Sequence, residues 1–247
     1  MQLLSTQSFG RILAALLLAP SAVNLCLAAP QPLGSNTVAG SAALAPRTDT
    51  NELKAFKKKM DETNIKVSQD RTSFADFSKK DQKSISSKGF NQCFGIILST
   101  SKGAAVGHYT CGNEGKTQAK TQLRDIYNAQ KADKLKNPKV SIYAKVKVSE
   151  ADHKILENEF ENAGDLQAFK DIIKNDLGID KTPEVIKYHD VDAVIVDKGK
   201  ERPGFDQKTA DVYSRYAGFY VYNRLLGGPE IKFMTLEMQK ASYKEGK

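Results

Sequence analysis

The chain is poor in the residues that carry most enzyme chemistry. Of 247 residues, three are histidine and three are cysteine, and tryptophan is absent. It has no phosphate-binding Gly-rich loop ending in Lys-Ser/Thr, no Gly-x-Ser-x-Gly, no His-Glu-x-x-His and no dinucleotide fingerprint. These absences exclude the common nucleotide-dependent, serine-hydrolase and zinc-peptidase designs, and no cofactor is expected. His153 falls in a charged segment and His189 lies beside Asp190. Neither has partners at metal-ligand spacing, so no metal site is expected. Asp190, Asp192 and Asp197 lack the spacing of a calcium loop. There is no Asn-x-Ser/Thr sequon, so N-glycosylation is not expected. Beyond residue 29 no apolar run approaches the roughly 20 residues a membrane span needs.

What is present begins with an export signal. Arg11 is the sole charge before Arg47, and it precedes the apolar run Ile12 to Pro20 and a weaker stretch ending in Cys26-Leu27-Ala28-Ala29. Pro20, Ser21 and Asn24 interrupt the run, so residues 1–29 read as a signal peptide cleaved near Ala28 or Ala29 rather than as an anchor. The expectation is a secreted, extracellular protein with no membrane contact after cleavage. The formal charge of +8 drops by one with Arg11. The Lys57–Lys59 and Lys79–Lys80 clusters have acids nearby, which suits solvated faces and argues against nucleic acid as a partner. Residues 30–50, rich in Pro, Gly, Ser and Ala, read as a disordered linker or pro-segment. Residues 51–247 suit a single α+β domain.

Periodicity fills in that domain. Residues 51–63 form a basic helix; 64–89 are polar and carry no clear pattern. Phe90–Ser99 and Ala104–Cys111 read as two strands of a hairpin, and 115–135 as a helix stopped by Asn137-Pro138. Val140, Ile142, Ala144, Val146 and Val148 alternate as a half-buried strand. Ser149 and Asp152 resemble a capping box for a helix to about Asn162, and a further helix runs from Asp165 to a stop at Gly178. Val185–Asp197 supplies one or two strands. Residues 212–223, with Tyr213, Tyr216, Tyr220 and Tyr222 read as packing residues, fit strand or helix, and Ile231–Leu236 is a last strand. The expected fold is an α+β sandwich-like domain with a mixed or antiparallel sheet and a central hairpin, about 90–111, flanked by helices.

Signal cleavage removes Cys26 and leaves Cys93 and Cys111. Cys93 opens one hairpin strand and His108 lies on the other, 15 residues later by their numbering. A thiol beside an imidazole can form a thiolate–imidazolium pair, whose thiolate is a nucleophile for a carboxamide. The segment Cys93-Phe-Gly-Ile-Ile-Leu-Ser-Thr-Ser-Lys-Gly-Ala-Ala-Val-Gly-His108-Tyr-Thr resembles the Cys–strand–turn–strand–His core of glutamine deamidases. These include the CheD chemoreceptor deamidases and deamidating toxins of the cytotoxic necrotizing factor type. In texture it is closer to fungal secreted proteins that carry such a hairpin. The resemblance covers about 20 residues of the chain. It implies Cys93 as nucleophile and His108 as base. Several family members place a Thr six residues before the Cys, where this chain has Ser87. The family favours small residues just before the nucleophile, where this chain has Asn91-Gln92.

Hairpin register separates two outcomes. A three-residue loop, Ser101–Gly103 with Gly103 left-handed, pairs Thr100 with Ala104 and sets Cys93 opposite Cys111, close enough for a disulfide. A four-residue loop, Thr100–Gly103, pairs Ser99 with Ala104 and puts His108 diagonal to Cys93 on one face. A one-residue slip turns every side chain over, so a regular hairpin serves one chemistry or the other; a bulge at Gly95 or Gly107 would rescue either. The oxidising compartment and the turn signal favour the Cys93–Cys111 disulfide. The first functional reading is therefore a secreted, effector-like or extracellular interaction protein on a deamidase-like scaffold, with an unidentified protein target for which a host protein is one candidate. The alternative is an active cysteine-dependent glutamine deamidase or amidohydrolase.

Overall fold

Alternation along three neighbouring strands sorts the apolar residues into two cores. The structure, a computed structural model, describes residues 51–149, 155–189, 196–197, 200–201, 216–224 and 228–235. Helix α1 (Asn51–Asp61) is followed by strands β1 (Ile65–Val67), β2 (Arg71–Asp76), β3 (Ser84–Lys88), β4 (Phe94–Ser99) and β5 (Gly103–Tyr109). Helix α2 (Gly112–Gln118) runs through a π-helical turn, Ala119–Leu123, into α3 (Arg124–Gln130). Strands β6 (Lys139–Val148) and β7 (Ile155–Phe160) precede α4 (Ala163–Asp171), which continues through a π-helical turn at Ile172–Asp176. Strands β8 (Glu184–Tyr188), β9 (Val196–Asp197), β10 (Lys200–Glu201), β11 (Gly218–Arg224) and β12 (Gly228–Phe233) complete the described elements.

The larger sheet has the order β2-β5-β4-β6-β7, with β8 pairing β6 in parallel; the smaller has the order β1-β3-β11-β12. On β4, Phe94, Ile96 and Leu98 point to α3, α4 and the π-helical turns, and on β6 Val140, Ile142 and Ala144 join them. Cys93 and Ile97, with Val106 and Tyr143, point the other way and meet Ile85, Phe219 and Val221 of the smaller sheet. This is a period-2 pattern buried on both sides. The outer face of the smaller sheet is covered by α1, whose Phe56 ring lies 5.4 Å from that of Tyr220. The result is a sandwich of two sheets with helices on both outer faces, the α+β sandwich-like fold expected from the sequence. The lysines of α1 sit as a solvated face: Lys58 and Lys59 are exposed and pair with Glu62 at 3.9 and 3.7 Å. Among the described residues no helix is long and apolar enough to cross a membrane.

Two departures from the sequence reading have clear causes. The helix expected to reach Asn162 is, over its described part, strand β7; residues 150–154 lie outside the described residues. Ten-residue β6 outruns β4, and its last residues would present unpaired N–H and C=O groups to solvent. Pairing Lys147 with Leu156 and Val148 with Ile155 satisfies them. The polar segment 64–89 holds three strands. Its serines are used on both faces of β3: Ser86 Oγ lies 2.5 Å from Thr63 Oγ1 beneath α1, while Ser87 faces the sandwich interior.

Gly103, expected as the left-handed residue of a bulge turn, has no positive φ. Its glycine is required by close approach instead. A Cβ there would lie 2.7 Å from the Phe74 ring and 2.8 Å from the Ala75 carbonyl oxygen of β2. Gly103→Ala is therefore expected to destabilise the fold by about 1–3 kcal/mol. Urea unfolding should show a lower midpoint at an unchanged slope; an unchanged midpoint would contradict the close approach.

Candidate functional site

The hairpin closes through four residues. Ser99 pairs with Ala104, Gly95 with His108 and Phe94 with Tyr109, without a bulge. Thr100 shapes the loop: its N–H donates to the Gly103 carbonyl at 2.9 Å, and its hydroxyl accepts from the Lys102 N–H at 3.1 Å. One step beyond the last pair, Cys93 stands across from Thr110. The Cys93 and His108 side chains then share the sandwich face. Cys111 belongs to the core on the helical side, and Cys93 to the core between the sheets. Cys93 is a free thiol. The expected Cys93–Cys111 disulfide is thus not formed, because the four-residue loop turns the two side chains to opposite faces of one sheet.

Ser87 reaches this face from the other sheet. Its hydroxyl lies 2.9 Å from His108 Nδ1 and donates to the Val67 carbonyl at 2.8 Å. A hydroxyl has one proton, so if it serves Val67 the Nδ1–H must donate to Ser87 Oγ. The imidazole lone pair then sits on Nε2, which is buried and without a partner among the described residues. Phe90 stacks on the ring, centroids 3.9 Å apart at 10°. The Cys93 thiol donates to the Asn91 carbonyl at 3.5 Å, and the Cys93 carbonyl accepts from the Tyr188 hydroxyl at 2.7 Å. Gly95, opposite His108, leaves room for the Phe219 ring.

Three sequence-selected residues, Cys93, His108 and Ser87, therefore converge between the sheets. They are 4 %, 2 % and 2 % exposed, so the site is closed to solvent. Burial, opposed weakly by the Asp70 charge, lowers the His108 pKa to about 4. Burial also pushes the Cys93 thiol up to about 12. Thiol and imidazole are both neutral at rest, not a preformed ion pair. Sequence reasoning missed Phe90 and Asp70, whose roles come from chain segments that carry no motif. It also gave no sign that Gln92, directly before Cys93, adopts φ 63°. Of the remaining candidates, His153 and Tyr213 lie outside the described residues. His189 is 1 % exposed at the end of β8. A cleft of about 470 Å³ lined by Lys116, Lys120, Asp171 and Asp176 lies among α2, α4 and their π-helical turns, across the larger sheet from Cys93. No protein-family model matches the chain, and no curated protein matches it.

The buried imidazole has a consequence for stability. With a folded pKa near 4 against 6.5 for an ordinary histidine, the unfolded chain binds a proton in that interval and the folded chain does not. The contribution is fully present above about pH 6.5 and is lost as pH falls toward about 4. It amounts to about 3 kcal/mol. Urea unfolding across this range should show the loss, and His108→Gln should flatten it. Equal slopes in the two proteins would show that His108 is protonated or solvated in the folded state.

Proposed function

We propose that the chain is an exported, effector-like protein whose sandwich carries a cysteine-dependent amidohydrolase site of the glutamine-deamidase type, acting on a carboxamide of a protein target. The observation that carries this reading is the Ser87–His108 hydrogen bond on the face shared with Cys93. A hydroxyl that receives Nδ1–H leaves Nε2 as a base and sets the ring orientation, as the third member of a nucleophile–base–orienter set does. The position six residues before the cysteine was singled out by the resemblance alone. Its arrival against the imidazole from a different sheet is what a working constellation needs.

The chemistry follows from the atoms present. Rotation of the Cys93 thiol from the Asn91 carbonyl toward Nε2 lets the imidazole take its proton as Sγ attacks the carboxamide carbon. The leaving amine takes that proton from the imidazolium, ammonia departs and a thioester remains. Nε2 then accepts a proton from water as hydroxide adds to the thioester, and Sγ leaves as the thiol on regaining that proton. The sum is amide plus water to carboxylic acid plus ammonia, with no redox partner. The neutral resting pair suits a site in which a low-polarity interior holds the proton on sulfur until a carboxamide enters.

A second reading is an interaction module that keeps the scaffold without turnover. It is favoured by the burial of both reactive side chains and by Phe90 lying on the imidazole. The two separate on one experiment. Wild-type protein and Cys93→Ala, each shown to be folded, are incubated with a glutamine-rich protein and assayed for ammonia. The hydrolase reading expects release that Cys93→Ala and His108→Ala abolish. No release from the wild type, with target binding undisturbed in Cys93→Ser, selects the interaction module.

A further inference from the structure

The turn between β1 and β2 closes on the end of β5. Asp70 stands in it with a left-handed backbone, φ 56°, a conformation that costs a non-glycine residue about 1–2 kcal/mol and that Asp and Asn tolerate best. Its N–H donates to the His108 carbonyl at 2.6 Å. Its Oδ1 accepts from both the N–H and the hydroxyl of Thr110, each at 2.9 Å. Thr110 is the residue across from Cys93. Asp70 thus grips the chain on both sides of Tyr109, at the residue that bears the imidazole and at the residue that faces the thiol. Gln122, in the π-helical turn after α2, holds the same turn from the helical side: Nε2 donates to the Asp70 carbonyl at 3.2 Å, and Oε1 accepts from the Thr72 N–H at 2.9 Å. π-Helical turns recur at functional sites. Here the turn delivers a side chain to the backbone that carries the pair.

A glycine would satisfy the left-handed turn alone. The aspartate adds an acceptor that ties down Thr110. We propose that Asp70 is the positioning residue of the Cys93–His108 pair, fixing the end of β5 so that imidazole and thiol keep their common face. This role rests on the pair acting as proposed above. The electrostatics agree with the placement: burial dominates both shifts, and the Asp70 charge further raises the thiol pKa while opposing the fall of the imidazole pKa. The other titratable groups of the same cluster are Tyr143 and Tyr188. From β2, Arg71 pairs with His108 in register with its side chain exposed, and Lys88 at the end of β3 is engaged by Asp61 at 2.8 Å.

The test uses the full chain with Asp70→Asn and Asp70→Gly. Asparagine keeps the left-handed turn and the Oδ1 acceptor; glycine keeps only the turn. The readouts are the His108 imidazole N–H resonance and its pH titration, the pH profile of Cys93 alkylation, and ammonia release. Asp70→Asn is expected to keep the imidazole N–H resonance, lower the His108 midpoint and speed Cys93 alkylation at a given pH. Asp70→Gly is expected to lose that resonance and lose ammonia release. Wild-type behaviour of Asp70→Gly in resonance and alkylation overturns the proposal and leaves a turn residue only. If Asp70→Gly does not fold, Thr110→Val removes one of the two bonds to Oδ1, and an unchanged resonance there overturns it equally. Resonance and alkylation changes without ammonia release from any protein, wild type included, uphold the positioning role and sink the hydrolase reading.

Discussion

The innermost pair of a hairpin can enclose three residues or four, and the difference turns every side chain of one strand over relative to the other. In this chain four residues, Thr100–Gly103, lie between Ser99 and Ala104, the innermost pair of the β4–β5 ladder. The alternative needed Gly103 in a left-handed turn. Instead Gly103 is pressed against Phe74 and Ala75 of β2, and the turn is closed by the Thr100 side chain. Because β2 and β6 both pair with this hairpin, the same choice sets which of their residues enter which core. The separation of Cys93 from Cys111, and the common face of Cys93 and His108, are consequences of that one pairing.

Placing these groups between two sheets gives the site its character. In a low-polarity interior each polar atom needs a partner, and a buried one without any costs about 1–3 kcal/mol. Ser87 is satisfied by Val67 and His108, and Nδ1 by Ser87. Within this group His108 Nε2 is left without a hydrogen-bond partner among the described residues, as are Ser99 Oγ and Ser141 Oγ elsewhere in the larger sheet. The same interior keeps the thiol protonated and the imidazole neutral. An unpartnered lone pair on the face that also carries a free thiol is expensive for a purely structural core, and it is the feature through which a cysteine hydrolase would act.

Much of the architecture could be read in advance where periodicity is strong. The alternation from Val140 to Val148 became β6, the stripe Leu166, Phe169 and Ile173 became α4 with its π-helical turn, and the basic segment 51–63 became α1. The segment 64–89 was opaque because its strands are short and rich in serine and threonine. Such residues become strand through pairing partners distant in sequence, as β3 does against β11. The capping pattern at Ser149 misled for a related reason: local helical preference in 155–160 yields to the unpaired edge of β6. At the site, Cys93 and His108 were legible as a hairpin pair. Phe90 and Asp70 were not, since their contacts depend on turns that carry no motif.

The sequence by itself determined the α+β class, the hairpin and the Cys93 and His108 candidates, because alternation, turn residues and rare chemistry are local signals; Ser87 came from the resemblance alone. It left the chemistry of Cys93 open between a bridge and a nucleophile, and its turn signal pointed to the bridge. Only tertiary structure decided that question. Register is a property of two strands packed against a third, and here Gly103 is paired as a strand residue with Asp76 of β2, a strand the local pattern did not reveal.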